Sequence, residues 1–405
     1  MEASEARRVN RSAVLARLLA SDRTTRTELT DLTGLSPATV SRVIDMLLAE
    51  GLIAEGPPVV SGRRGRSASS LRLRPGLGVV CGVDLGGTNC RFLLADLLGR
   101  PAAARQELTP TERGAAEIAD WIAGMVDGLA RSGTGPLRAV TVGLPGVVSP
   151  EGAVVSGAPN LPQIEGEVFA RALARRIPAP VTLDNDSNLA LLGELRFGAG
   201  RGLATAVMIT IGTGLGSGVV LEGQLLRGRT GLIGEIGYLP AGPSGELTEE
   251  LLSGSGLVRR ARCLGAPVTS AQEIFAAAGP VQLSELREQF DRALLLALAA
   301  ATVSYEPEAV IIGGGLSPAV SLRLDGVRQR LRELMPAVPD VRLAELGDLS
   351  GALGALAAAC HTAYLGLGIT DADAASLPSP AALRELEQSQ SGEEEIADVP
   401  DTPAG

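Results

Sequence analysis

Three glycine-rich turns, each placed after an apolar run, have the residue types that phosphate chemistry needs. Val83-Asp84-Leu85-Gly86-Gly87-Thr88-Asn89 comes first and Ile211-Gly212-Thr213-Gly214-Leu215-Gly216-Ser217-Gly218 second. Ile312-Gly313-Gly314-Gly315-Leu316-Ser317 is the third. Glycine lets backbone N–H groups approach a phosphate, the Thr88 hydroxyl adds a donor, and a carboxylate such as Asp84 can hold a hydrated Mg²⁺. One such turn is commonly just a turn, but three in this order form a pattern. A polar segment, Asp184-Asn185-Asp186-Ser187-Asn188 followed by Gly193-Glu194, adds carboxylates of the kind that accept a proton during phosphoryl transfer. By itself it reads as a strand-to-helix turn with Asp186 or Ser187 as N-cap.

A different chemistry is written into the first 75 residues. Val14, Leu15, Leu18 and Leu19 share one face of a helix, and Leu29 and Leu32 belong to a second. Gly34 breaks the chain, Ser36 is an N-cap, and Pro37 sits where its missing N–H costs nothing. A third helix to about Glu50 buries Val40, Val43, Ile44, Leu47 and Leu48 and turns Ala38, Thr39, Ser41, Arg42 and Asp45 outward. This is a helix-turn-helix. Gly51-Leu52-Ile53, then Gly62-Arg63-Arg64-Gly65-Arg66, then Leu71-Arg72-Leu73 read as a wing with a basic tip. Such a tip suits the minor groove of DNA. A three-helix bundle with a solvated basic loop is the plainer reading, and it leaves the combination of cap, turn and wing without a reason.

Length and composition constrain the elements that hold these residues. The 405 residues suggest two or three domains. The chain is 45% hydrophobic but 2% aromatic, so its core must be aliphatic. All 36 basic residues are arginine, the mark of a GC-rich genome, so phosphate contacts must come from Arg, backbone N–H or a metal. Residues 1–75 carry 12 arginines against 8 acids, which leaves −14 for the rest of a chain of net −10. A basic head on an acidic body implies an anionic partner for the head alone. Cys81, Cys90, Cys263 and Cys360 are too scattered for a disulfide framework or thiolate zinc site. No apolar run of about 20 residues occurs, so the expectation is a soluble, cytoplasmic protein with no membrane segment. From 76 to 366, strand-like runs at Gly78–Asp84, Ala139–Leu144, Ala206–Ile211 and Ala309–Ile312 alternate with helical stretches, an α/β pattern. Residues 367–405, rich in acids, Pro and Gln, read as a disordered acidic tail. His361, the single histidine, reads as a packing residue on an apolar helix.

The body resembles the ROK family of sugar kinases and sugar-responsive repressors, and the resemblance takes in head and body, about residues 8–365. The resemblance implies the two-lobed, actin-like (ribonuclease H-like) ATPase fold of sugar kinases, preceded by the winged helix-turn-helix. It places nucleotide at Asp84, Gly86, Gly87 and Thr88, at Gly212, Thr213 and Gly214, and at Gly313, Gly314 and Gly315. Val142–Val147 and Gly157–Leu161, which includes Asn160, fit the pattern near the sugar. Asp186 becomes the catalytic base and Asn185 a ligand of sugar hydroxyls. Family kinases carry Gly-Glu-x-Gly-His with a zinc-binding His, but here Gly234-Glu235-Ile236-Gly237-Tyr238 has Tyr, and the Cys-rich loop is missing. Zinc is therefore not expected. Glu249 matches the glutamate after that loop, so Asn160, Asn185, Asp186, Glu235, Tyr238 and Glu249 make up the expected sugar site.

The expected function is a transcriptional regulator, a repressor, with a sugar or sugar phosphate as effector. Operator DNA is read by Thr39, Ser41, Arg42, Arg63, Arg64 and Arg66, and the protein works as a homodimer. The rival is an ATP- and Mg²⁺-dependent sugar kinase carrying a DNA-binding head. A third reading, a body used only for dimerisation, gives the retained polar residues no purpose.

Overall fold

The computed structural model describes residues 2–21, 23–59, 68–149, 151–242, 244–276, 283–375, 377 and 378. The head is built from helices α1 (Glu2–Leu19), α2 (Arg26–Thr33) and α3 (Pro37–Ala49), then strands β1 (Ile53–Val59) and β2 (Ala68–Leu73). Local signals set each boundary. Thr25 and Glu28 cap α2 reciprocally, and Gly34 ends it at φ 67°. The Ser36 hydroxyl accepts from the Thr39 N–H at 3.2 Å and starts α3, with Pro37 at its first position. The predicted face is buried at Val14, Leu15, Leu18, Leu19, Leu29, Val40, Val43, Ile44 and Leu47. One expectation is met only in part: Leu48 packs on the core but is only partly buried. Leu32 lies on α2 as expected and is 54% exposed. α2 has eight residues and shows the core little more than Leu29. The antiparallel β1–β2 pair is the wing's stem. Its tip, with Arg63, Arg64 and Arg66, lies outside the described residues.

The body repeats one sheet topology. In the first lobe, β3 (Val79–Leu85), β4 (Asn89–Asp96) and β5 (Pro101–Leu108) form an antiparallel meander. After α4 (Ala115–Ala130), β6 (Leu137–Leu144) lies parallel to β3. The small β7 (Val147–Val148) and β8 (Val155–Ser156) pair and α5 (Val168–Arg176) lead to β9 (Val181–Asn185). The order is β5-β4-β3-β6-β9. Helix α6 (Asp186–Phe197) crosses to the second lobe, where β10 (Ala206–Ile211), β11 (Leu215–Leu221) and β12 (Gln224–Leu225) form the second meander. Helices α7 (Thr248–Leu252), α8 (Gly254–Cys263), α9 (Ala271–Ile274) and α10 (Ser284–Tyr305) precede β13 (Ala309–Gly313). Helices α11 (Ser317–Ser321) and α12 (Leu324–Leu334) precede β14 (Asp340–Leu343). Here the order is β12-β11-β10-β13-β14, the same arrangement again. This is the expected two-lobed fold, and the four strand-like runs are β3, β6, β10 and β13.

The chain then returns as α13 (Ser350–Gly366), which packs on the first lobe and against α6. Small residues permit that contact: a Cβ on Gly354 would lie 1.7 Å from the Leu189 carbonyl oxygen. Glu194, fully buried, ties the same junction by accepting from the N–H groups of Ala199, Glu345 and Leu346 and from the Ser350 hydroxyl, at 2.8–3.1 Å.

The head has no separate core. Leu15 and Leu71 share one buried cluster with Leu97, Leu356, Tyr364 and Ile369 of the body. The chain also stays folded past 366. α14 (Asp371–Ala374) and Leu377 close over α1, and Ile369, Ala374 and Leu377 are buried. Arg11 donates to the Leu367 carbonyl at 2.6 Å, the Ser12 hydroxyl donates to Asp373, and Thr370 N–H donates to Ser12 at 2.7 Å. The expectation of a tail beginning at 367 is corrected by these contacts, because composition does not register a buried apolar residue every few positions. His361 is corrected too. Rather than only packing, its Nε2 lies 2.8 Å from an Asp371 carboxylate oxygen. Residues 379–405 lie outside those described. Among the described residues no helix is long and apolar enough to cross a membrane.

Candidate functional site

The carboxyl ends of the central strands of both lobes face one another, the place where open α/β sheets present ligand-binding turns. Between them is a cavity of about 380 Å³. The first lobe lines it with Gly86 and Gly87 after β3, Asn160, and Asp186 at the start of α6. The second lobe contributes Gly212, Thr213 and Gly214 after β10, Gly314 after β13, and Glu235, Tyr238 and Glu249. Eleven residues predicted from separate parts of the sequence thus share one cleft.

The glycines are there for space. A Cβ on Gly87 would lie 3.0 Å from the Asn160 carbonyl oxygen, and one on Gly214 would lie 3.1 Å from Asn160 Nδ2. A larger residue at either position would press on Asn160 in the cleft wall. Tyr238 is 59% exposed at the rim. Among the described residues no set of three His, Cys, Asp or Glu side chains is arranged to hold a metal ion.

Electrostatics mark the carboxylates. Burial pushes Asp186 up to about 6, against the donation of Ser187 N–H and hydroxyl to its carboxylate. Glu235 rises to about 7, first from burial and then from the charges of Asp186 and Glu249. Burial also raises Glu249, opposed by the Leu215 N–H that it accepts at 3.0 Å. Asp84 reaches about 7 through burial and the nearby Asp186, while Arg91 draws it down. These groups bind protons in the folded chain that the unfolded chain, at 3.8 for Asp and 4.5 for Glu, releases. Their contribution to stability is therefore complete below about pH 4 and is lost as pH rises through about 7. The melting temperature of the unliganded chain should fall between about pH 5 and about pH 8 by more in wild type than in Asp186→Asn/Glu235→Gln. Equal falls would show that these two carboxyls do not titrate as described.

Other predicted residues sit elsewhere. Asn185 is spent on structure: its Oδ1 accepts from the N–H groups of Ser187 and Asn188, capping α6, and its Nδ2 donates to Gly146 O at 3.0 Å. It is absent from the cleft lining, and it, rather than Asp186 or Ser187, is the N-cap. Asp84 borders a smaller adjoining cavity of about 170 Å³ with Arg91 and Asp186. Thr88 is exposed and lines neither cavity. Gly313 is buried at the end of β13, where a Cβ would lie 2.5 Å from Met208, and Gly315 is exposed past the turn. On α3, Arg42 is exposed while Thr39 and Ser41 are half-buried.

Sequence reasoning missed three residues. Thr210, at the end of β10, lines both cavities and hydrogen-bonds Ser187 at 2.6 Å. Arg91 pairs across the β3–β4 register with Asp84 and bonds Asp348 at 3.0 Å. A hairpin register counted from Gly86-Gly87 would have found it. Arg227 grips Asp184 through two nitrogens, at 3.1 and 2.5 Å, and so links the lobes. Nothing in the local sequence points to that pair.

A family model described as the ROK family matches residues 80–361, and one described as winged helix-turn-helix DNA-binding matches residues 7–54. A glucokinase of Streptomyces coelicolor is 32% identical over 312 residues, covering 69% of this chain and 96% of the relative. A xylose repressor of Caldicellulosiruptor bescii is 28% identical, over 57% of this chain and 58% of the repressor. The solved structure of a ROK family transcriptional regulator, a homologue of the E. coli MLC protein, superposes with a TM-score of 0.73. It covers 92% of this chain and 99% of that one at 22% identity, a likeness of fold that includes the head.

Proposed function

The chain belongs to the ROK family and carries a winged helix-turn-helix ahead of the family domain; on that premise we propose that it is a sugar-responsive transcriptional regulator, a repressor, with its effector in the interlobe cleft. The carrying observation is the head's shared core with α13. The first turn of α13 brings Gly351 against Asp84 beside the cleft, and its far end leads to the segment that holds Arg11 and Ser12 of α1. A sugar held by Asn160 and Asp186 on one lobe and by Glu235, Tyr238 and Glu249 on the other binds best when the lobes converge. Only such differential affinity shifts a conformational equilibrium. Arg42 and the outer face of α3 read the major groove, and Arg63, Arg64 and Arg66 the adjacent minor groove or phosphates. Reading paired half-sites roughly 34 Å apart requires two heads. The proposal therefore includes a homodimer, which light scattering of the full chain tests; a monomer at micromolar concentration would remove it.

The second reading, a sugar kinase with a DNA-binding head, is favoured by the glucokinase likeness and by Asp186 in the cleft. In that reading Mg²⁺-bound ATP would supply the phosphoryl group, with Gly86–Gly87 and Gly212–Gly214 holding its phosphates. Asp186 would take the proton of the attacking sugar hydroxyl.

Thermal denaturation across a panel of sugars and sugar phosphates tests the proposal. A ligand at 100 times its Kd stabilises the folded chain by about 2.7 kcal/mol. Glu249→Ala should lose most of that shift. Asp186→Asn keeps size and hydrogen bonding but removes the base, so phosphoryl transfer should collapse while ligand-dependent stabilisation largely survives. If no sugar or sugar phosphate shifts the wild type, the cleft is not a sugar site.

A further inference from the structure

A second cavity, of about 640 Å³, lies at the joint between head and first lobe, apart from the interlobe cleft. The head supplies Arg23 from the α1–α2 connection, Arg72 from β2, and Arg74 just beyond it. The body supplies Thr134 and the β4–β5 turn with Asp96 and Arg100. Asp96 is the one acid in this wall, and it is already engaged. It accepts from Arg100 Nε at 2.9 Å and from the N–H groups of Leu98 and Arg100 at 2.9 and 3.0 Å. Arg23, Arg72 and Arg74 are exposed, and no carboxylate partners them among the described residues. Three guanidinium groups with no carboxylate partner among the described residues thus line one cavity on a chain whose net charge is −10.

Like charges that line one cavity repel, and an anion between them turns that repulsion into attraction. The planar guanidinium fork matches phosphate oxygens in paired hydrogen bonds, and a dianion can engage several forks at once. The cavity runs along the β1–β2 hairpin from Leu73 at its base, paired with Ile53, to Pro57 and Ser70, and its other wall is the body's Leu77, Gly78, Leu97 and Thr134. We propose that this cavity binds a small phosphate-bearing molecule, free phosphate or a phosphomonoester. Its wall comes from both head and body. A bound anion therefore favours the one disposition in which the two walls meet, and so changes the affinity of the head for DNA.

The test uses the full chain with inorganic phosphate, a hexose phosphate, the same hexose unphosphorylated, and sulfate at equal ionic strength. Equilibrium dialysis and melting temperature are the readouts. Phosphate or the hexose phosphate should bind and raise the melting temperature, and which of them does so separates the two sources. In Arg72→Gln/Arg74→Gln the Kd for inorganic phosphate should rise at least about tenfold. If the double variant does not fold by circular dichroism, Arg23→Gln and Arg74→Gln alone should each weaken binding about threefold. Wild-type affinity for inorganic phosphate in the arginine variants overturns the proposal, as does sulfate binding as tightly as phosphate. Loss of duplex DNA affinity with phosphate binding intact would instead give these arginines to the DNA face and also overturn it.

Discussion

Gly354→Ala is expected to cost more than about 3 kcal/mol of stability, the upper end for overpacking, and Gly354→Val to prevent folding of the full chain. The added Cβ would lie 1.7 Å from the Leu189 carbonyl oxygen, and that atom belongs to the backbone of a buried helix and cannot swing aside. The opposing residue is also fixed, because a Cβ on Gly193 would lie 2.3 Å from Ser350 O and the adjacent Glu194 holds four donors. Folded stability is about 5–15 kcal/mol, so a loss of this size is a large fraction of the total. Gly366→Ala, on the same helix with nothing within 4 Å of its Cβ, should be neutral or stabilising by up to about 1 kcal/mol. Urea unfolding of both variants checks this. Equal midpoints would mean that α6 and α13 do not pack as described.

The second large effect concerns DNA. Replacing Arg63, Arg64 and Arg66 together with alanine should lower the slope of log K against log salt by about three, one unit for each phosphate no longer neutralised. Affinity should fall steeply at low salt and less at high salt, where released counterions count for less. Arg42→Ala should change base preference instead, if its side chain reads a base edge. Fluorescence anisotropy over a salt series separates the two. An unchanged slope in the triple variant would remove the wing from the interface.

The head was the most legible part of this sequence. Caps, a glycine turn and helical periodicity are local, so Ser36, Gly34 and the buried face of α3 were all readable. The glycine turns were legible for the same reason, since each follows its own strand. What the sequence hid was long-range. Asn185 is expected as a sugar ligand from the resemblance alone; here its side chain caps α6 and donates to the Gly146 carbonyl, a partner 39 residues away. Thr210 and Arg227 gain their places through partners 23 and 43 residues away. The segment around Ile369 looked like the start of a tail because its core partners lie on α1, at the other end of the chain.

If the interlobe cleft is the sensor, a ligand held there alters the grip of the head on DNA. The most direct test measures binding of the full chain to duplexes that it selects from a random pool, with and without each sugar or sugar phosphate that stabilises it. At least one ligand should change DNA affinity about tenfold or more, the upper middle of the range of allosteric couplings. Glu249→Ala should abolish the change while leaving ligand-free DNA affinity intact. Unaltered DNA affinity with a ligand saturating the cleft would uncouple the cleft from the head and remove the sensor role, and sugar phosphorylation by the same protein would then give the cleft to catalysis.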